Sequence, residues 1–199
     1  LIRRFTMWIM GEQLSLEQCV RELADACLRD KSLFEAVVKV LMCTVEFDDR
    51  LARRKRIPTT VKTCLAVPAP SPYDAPENGF QQKLPLFIAF ETVEGGVVYI
   101  GDRGSSAVME AKEKGVEEVQ AEVYMPPYRL PRTQMLVLER TAPGWITIVG
   151  GTPPQVAVPV KSEDHLRIIA SLLRLRGIKP EIRQAGANDY GGHTDFLQP

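Results

Sequence analysis

The sequence predicts an α+β fold, in which a helical N-terminal subdomain is followed by a mixed, mainly antiparallel sheet packed with two helices. The prediction rests on a change of period. Apolar residues recur at spacings of three and four in the first part of the chain and at every second position from residue 84 onward. Between the two lie Pro68, Pro70, Pro72, Pro76 and Asn78-Gly79, which favour extended and turn backbone without a core of their own. The expected organisation is a helical subdomain over 1–66, a Pro-rich linker over 67–83, an α+β domain over 84–184 and a flexible tail over 185–199. That tail carries Gly186, Gly191 and Gly192 and few apolar side chains to hold it.

Two helix starts are legible as capping boxes, Ser15-Leu16-Glu17-Gln18 and Ser32-Leu33-Phe34-Glu35, each a hydroxyl followed three residues later by an amide or acid. In the first helix Leu16, Val20, Leu23 and Cys27 form an apolar stripe opposite Glu17, Arg21, Glu22 and Asp25. The second, from Leu33 through Val45, is apolar on most sides and needs cover on more than one face. Its pattern is expected to run on through Asp48 to Arg56 and to stop before Pro58, whose predecessor is biased away from helical dihedrals.

Residues 84–93 and 97–100, joined by Glu94-Gly95-Gly96, predict a β-hairpin with positive φ at the turn. A short helix over 105–115 ends on Gly115. Val119, Ala121, Val123 and Met125 then alternate with Glu118, Gln120, Glu122 and Tyr124, the pattern of a strand. Residues 134–140 and 145–149 predict a second hairpin, and Val156, Val158 and Val160 a strand that Pro159 places at a sheet edge. The last helix runs over 162–176 and stops at Gly177, with a short strand over 178–183.

The 199 residues are 45% hydrophobic and 25% charged, ordinary for a globular protein. Lys plus Arg and Asp plus Glu each number 25, so no global field draws the chain to nucleic acid or membrane, and such a contact has to rest on a local patch. Cys19, Cys27, Cys43 and Cys64 match no zinc or redox spacing and three lie in apolar helical patterns, so they are expected as packed thiols of a reducing, cytoplasmic compartment. The first ten residues, which begin with Leu, are too short an apolar run for a spanning helix, and Met7 and Met10 are candidate starts. Two asparagines in the whole chain point towards a thermophile. His165 and His193 have no partner at metal-ligand spacing, and G-x-S-x-G and H-E-x-x-H do not occur. No metal, cofactor or catalytic residue is expected.

Two groups of residues are candidates for binding nucleic acid. Arg50, Arg53, Arg54, Lys55 and Arg56, with Lys62 beyond, can neutralise several phosphates and release their counterions. Tyr128 with Arg129 and Arg132, in the stiff Pro126-Pro127-Tyr128-Arg129-Leu130-Pro131-Arg132 segment, can stack a base and contact its backbone. Arg174 and Arg176, in the positive last helix, extend the set. A separate candidate is an anion site at Gly101, Arg103, Gly104, Ser105 and Ser106, where a strand passes through a glycine loop into a helix.

The expected function is a non-catalytic protein that binds single-stranded nucleic acid. The alternatives are an enzyme acting on a phosphorylated substrate at the 101–106 loop, or a subunit of a hetero-complex or homo-oligomer in which a partner covers the second helix.

Overall fold

The computed structural model describes residues 7–9, 12–70 and 84–184, of which 7–9 and 12–14 are described by their backbone alone. The elements are β1 (Met7–Ile9), β2 (Glu12–Leu14), α1 (Leu16–Arg29), α2 (Lys31–Cys43), α3 (Phe47–Leu51), β3 (Lys55–Lys62), a 3₁₀ turn at Thr63–Leu65 and β4 (Ala66–Val67). They continue with β5 (Leu86–Glu91), β6 (Val97–Arg103), α4 (Ser106–Glu113), β7 (Glu118–Tyr128), β8 (Met135–Ala142), β9 (Trp145–Val149), β10 (Gln155–Pro159), α5 (Glu163–Leu175) and β11 (Lys179–Gln184). Of the Pro-rich stretch, residues 71–83 lie outside the described residues, as do the tail over 185–199 and Met10.

The helix starts follow their caps. Ser15 accepts from the Gln18 amide while the Gln18 side chain accepts from the Ser15 amide, so the first capping box forms as its sequence predicts. The second does not. α2 begins two residues earlier, capped by Asp30, whose carboxylate accepts from both the amide and the hydroxyl of Ser32. An Asp so placed is the better cap, because it takes two donors and adds negative charge at the positive end of the helix.

The expected extension of the second helix to Arg56 is also replaced. The chain turns at Thr44, forms the short α3 and enters β3, a strand. Ile57, Thr59, Thr60 and Val61 are β-formers that the preceding cations mask in a helical count, and Pro58 is tolerated because β3 is the outer strand of its sheet.

Five strands form one sheet in the order β3-β7-β5-β6-β4. β7 pairs antiparallel with β3 and parallel with β5, β5 pairs antiparallel with β6, and β4 pairs parallel with β6. Four strands form a second sheet in the order β10-β9-β8-β11, a meander closed by α5 so that β11 lies parallel to β8. Both predicted hairpins are present, and Gly95 (φ 78°) and Gly144 (φ 77°) supply the positive φ at their turns. Pro159 ends the outer strand β10, as its missing donor requires.

Period two in β5 and β6 divides the core. Phe90, Val98 and Ile100 point into the larger cluster with Val20, Leu33 and Val37 of α1 and α2. Phe87 and Ala89 point to the other face, where Val108 of α4 covers them along with Val61, Ala121 and Val123. The larger cluster also takes Leu136, Leu138, Ile146, Ile148 and Val158 from the second sheet and Leu166, Ile169 and Leu173 from α5. The cover that the apolar α2 needs is therefore supplied by α1, α5 and both sheets of the same chain. Among the described residues, no helix is long and apolar enough to cross a membrane.

Candidate nucleic-acid interface

β3 and β7 set the site. Their antiparallel register places Lys55 opposite Met125 and Arg56 opposite Tyr124, so the cationic run that leads into β3 meets the 126–132 segment, whose first three residues end β7. Three carboxylates hold that segment by its backbone. Asp49 Oδ2 accepts from the Arg129 amide at 3.0 Å, Glu91 Oε2 from Leu130 at 3.2 Å and Glu46 Oε1 from Arg132 at 2.9 Å.

Two guanidinium groups hold it from below. Arg54 donates to the Pro126 carbonyl at 3.0 Å and to Asp49 Oδ1 at 2.6 Å, with both side chains nearly out of solvent. Arg176, 1% exposed, donates to the carbonyls of Glu91, Tyr128 and Arg129 and to the Thr44 hydroxyl. Burial pulls its guanidinium down to about 10, opposed by Glu91 and Asp49, so it stays charged at neutral pH. Arg50 is fixed in the same way by the carbonyls of Val45, Met42 and Thr152.

Three of the expected contact residues are thus structural. Arg50, Arg54 and Arg176 donate to backbone carbonyls that are mostly half-buried, and their forks are occupied. Tyr128 is not an open platform either: the Arg54 guanidinium lies 3.6 Å over its ring, and Phe90 packs against it at 5.1 Å and 30°. A face covered by a cation at that distance leaves no room for a base.

Arg53, Lys55, Arg56, Arg129 and Arg132 remain exposed around the same junction. Arg129 is 75% exposed and lies 3.9 Å from Asp49; the other four form no ion pair among the described residues, and Arg56 rests 5.4 Å from the Tyr124 ring centre. Of the neighbouring acids, Glu46 and Glu91 accept from backbone amides, and Asp49 is shared between the Arg129 amide, Arg54 and the Arg129 guanidinium. Lys62 is exposed but lies seven residues along β3, about 23 Å away. Arg174 is exposed on α5, and among the described residues no hydrogen bond or ion pair ties its side chain to the cluster.

The sequence reading missed Phe47. It is 64% exposed on α3, between Glu46 and the Asp48-Asp49 pair. The available signal was an aromatic standing alone among carboxylates, where no apolar period accounts for it.

Comparison with protein-family models, with curated proteins and with solved structures gave no match.

The 101–106 loop is packed rather than open. The Ser105 hydroxyl accepts from the Ala69 amide at 2.8 Å and is wholly buried, and a Cβ on Gly101 would lie 2.6 Å from that hydroxyl. Ser105 precedes α4 without capping it, because its side chain is turned to the 68–69 backbone. Arg103 and Gly104 are half-buried and Ser106 is exposed, so the hydroxyl nearest the expected anion is already engaged. Among the described residues no three His, Cys, Asp or Glu side chains are placed to hold a metal ion. The thiols are poor nucleophiles: burial is the main cause that raises Cys19 to about 11 and Cys27 to about 12, and it also raises Cys43 and Cys64.

Proposed function

We propose that the chain is a non-catalytic binding protein that holds single-stranded nucleic acid along the junction of β3 and the 126–132 segment. What supports this is the exposure of Arg53, Lys55, Arg56, Arg129 and Arg132 where β3 meets the end of β7, beside a segment whose backbone is held by three carboxylates and by the guanidinium groups of Arg54 and Arg176. Exposed cations on a rigid frame neutralise phosphates at little ordering cost, and release of counterions supplies the affinity. Phe47, rather than Tyr128, presents the aromatic face on which an unpaired base stacks.

The test is fluorescence anisotropy of a labelled single-stranded oligonucleotide over a salt series. Neutralising Arg53, Lys55 and Arg56 together is expected to weaken binding at least tenfold and to lower the slope of log K against log salt by about 2. Arg21→Ala, an exposed change on α1, should leave both unaltered. Phe47→Ala should weaken single strands several-fold more than duplex of the same length. Binding by the triple variant equal to that of the unaltered chain, or no binding at micromolar protein and low salt, overturns the proposal.

A further inference from the structure

The outer strands of the two sheets are not equally protected. Such a strand presents N–H and C=O groups that another strand can take up, unless its length, its charges or a covering element prevents it. β4 is two residues long. β3 carries Lys55 and Arg56 at one end and Lys62 at the other, so a second copy laid antiparallel along it meets like charge at both ends. α2 runs alongside β10, tied to its flanks by the Thr152 amide, which donates to the Cys43 carbonyl at 3.0 Å, and by Lys161, which lies 3.1 Å from Asp30. Among the described residues no strand lies beyond β11, and Ile182 near its middle is 48% exposed.

The ladder shows which groups of β11 face that edge. The Lys179 amide donates to the Gln134 carbonyl at 2.8 Å, so Lys179, Glu181 and Arg183 bond to β8, and Pro180, Ile182 and Gln184 turn their backbone groups outward. If the strand is laid antiparallel on a copy of itself about Ile182, each Ile182 N–H donates to the other Ile182 carbonyl. Each Gln184 N–H then donates to the other Pro180 carbonyl, and only the Gln184 carbonyl is left to water, opposite the proline that has no donor.

The side chains select the same register. With Ile182 on the axis, Glu181 of each copy stands opposite Arg183 of the other, beside the 2.8 Å contact that these two residues make within the strand. Sliding by two residues, the smallest step that keeps outward groups opposite one another, sets Glu181 against Glu181 in one direction and Arg183 against Arg183 in the other. Ile182 lies on the same face as the buried Leu138, its register partner, and there it meets its own copy and covers apolar surface that is otherwise wet.

From these observations we propose that β11 pairs antiparallel with β11 of a second copy of this chain, about a twofold axis through Ile182, joining two four-stranded sheets into one. The contact is isologous, so it closes on itself and builds no filament. Six residues of one strand form it, which falls short of the roughly 1,200 Å² of a standard interface, so the dimer is reversible and depends on concentration.

The test is sedimentation velocity of the full chain from about 5 µM to about 1 mM, over which the mass is expected to rise from monomer towards dimer. Glu181→Arg and Arg183→Glu should each weaken self-association about tenfold, because either change makes both facing pairs like-charged. An equimolar mixture of the two variants should dimerise as well as the unaltered chain, since every facing pair is again of opposite sign; a role confined to one strand gives no such rescue. In amide hydrogen exchange, Ile182 and Gln184 should gain protection as concentration rises, while Glu181 and Arg183, already bonded to β8, should not change. A monomeric mass at about 1 mM, undiminished self-association in the single variants, a mixture no stronger than its components, or protection gained at another edge in place of β11 overturns the proposal.

Discussion

Arg176 joins three parts of the chain that are far apart in sequence. It follows α5, yet its guanidinium satisfies carbonyls at Glu91, Tyr128 and Arg129 and the hydroxyl of Thr44. The planar fork suits this task because it offers five donors at fixed angles, and a lysine ammonium cannot reach four acceptors spread in this way. Arg176→Lys should therefore strand at least two half-buried carbonyls and lower stability by about 2 kcal/mol, read from the urea midpoint. An unchanged midpoint would mean that the carbonyls find other donors. From sequence alone Arg176 is one more cation in a basic helix. Burial decides its role, and burial depends on residues 44, 91 and 128, which no local window contains.

At the scale of elements, the caps and edges show where local chemistry is sufficient. Asp30 starts α2 and is pulled down to about 2, first by the Ser32 hydroxyl and then by Lys161, from 3.8 for an unperturbed carboxyl. A depressed carboxyl stabilises the fold above its unfolded value and loses that contribution as pH falls through the folded value. Asp30→Asn keeps a capping side chain but lacks the charge, so the stability gap between it and the unaltered chain should narrow steadily from pH 5 to pH 2. A gap that stays constant over that range in denaturant midpoints would exclude the linkage. β3 illustrates the opposite case. Its alternation is hidden beneath Lys55 and Arg56, and because the strand is an exposed edge most of its residues are wet on both faces, so no period-two signal survives. The inner strands β5 and β7 were legible because their neighbours bury them. The same contrast governs the candidate site. The cationic run and the Tyr128 segment were readable as composition, but which cations are engaged and which are exposed follows from pairing across seventy residues of sequence.

For the whole molecule, the larger cluster matters most. α1 and α2, the five-stranded sheet, the four-stranded sheet and α5 all contribute side chains to it. Elements that share one core unfold together, so the transition should be two-state. In a Trp8→Phe variant, fluorescence of Trp145 on β9 and far-UV circular dichroism, which weighs the helices, should give coincident urea midpoints. An earlier helical transition would show that α1 and α2 unfold as a unit of their own. The α+β class, the helix stripe of α1, both hairpins, the turn glycines and the edge position of Pro159 were determined by the sequence itself, because each depends on periodicity or dihedral preference within a few residues. Only the tertiary structure decided that the strand β3 follows α3, that Tyr128 is covered while Phe47 is exposed, and that Arg54 and Arg176 are structural while Arg53, Lys55, Arg56, Arg129 and Arg132 face solvent. The physical reason is that a charge or an aromatic ring has no fixed meaning in a local window: its role is set by which distant backbone groups must be satisfied and by which surfaces the folded chain leaves in water.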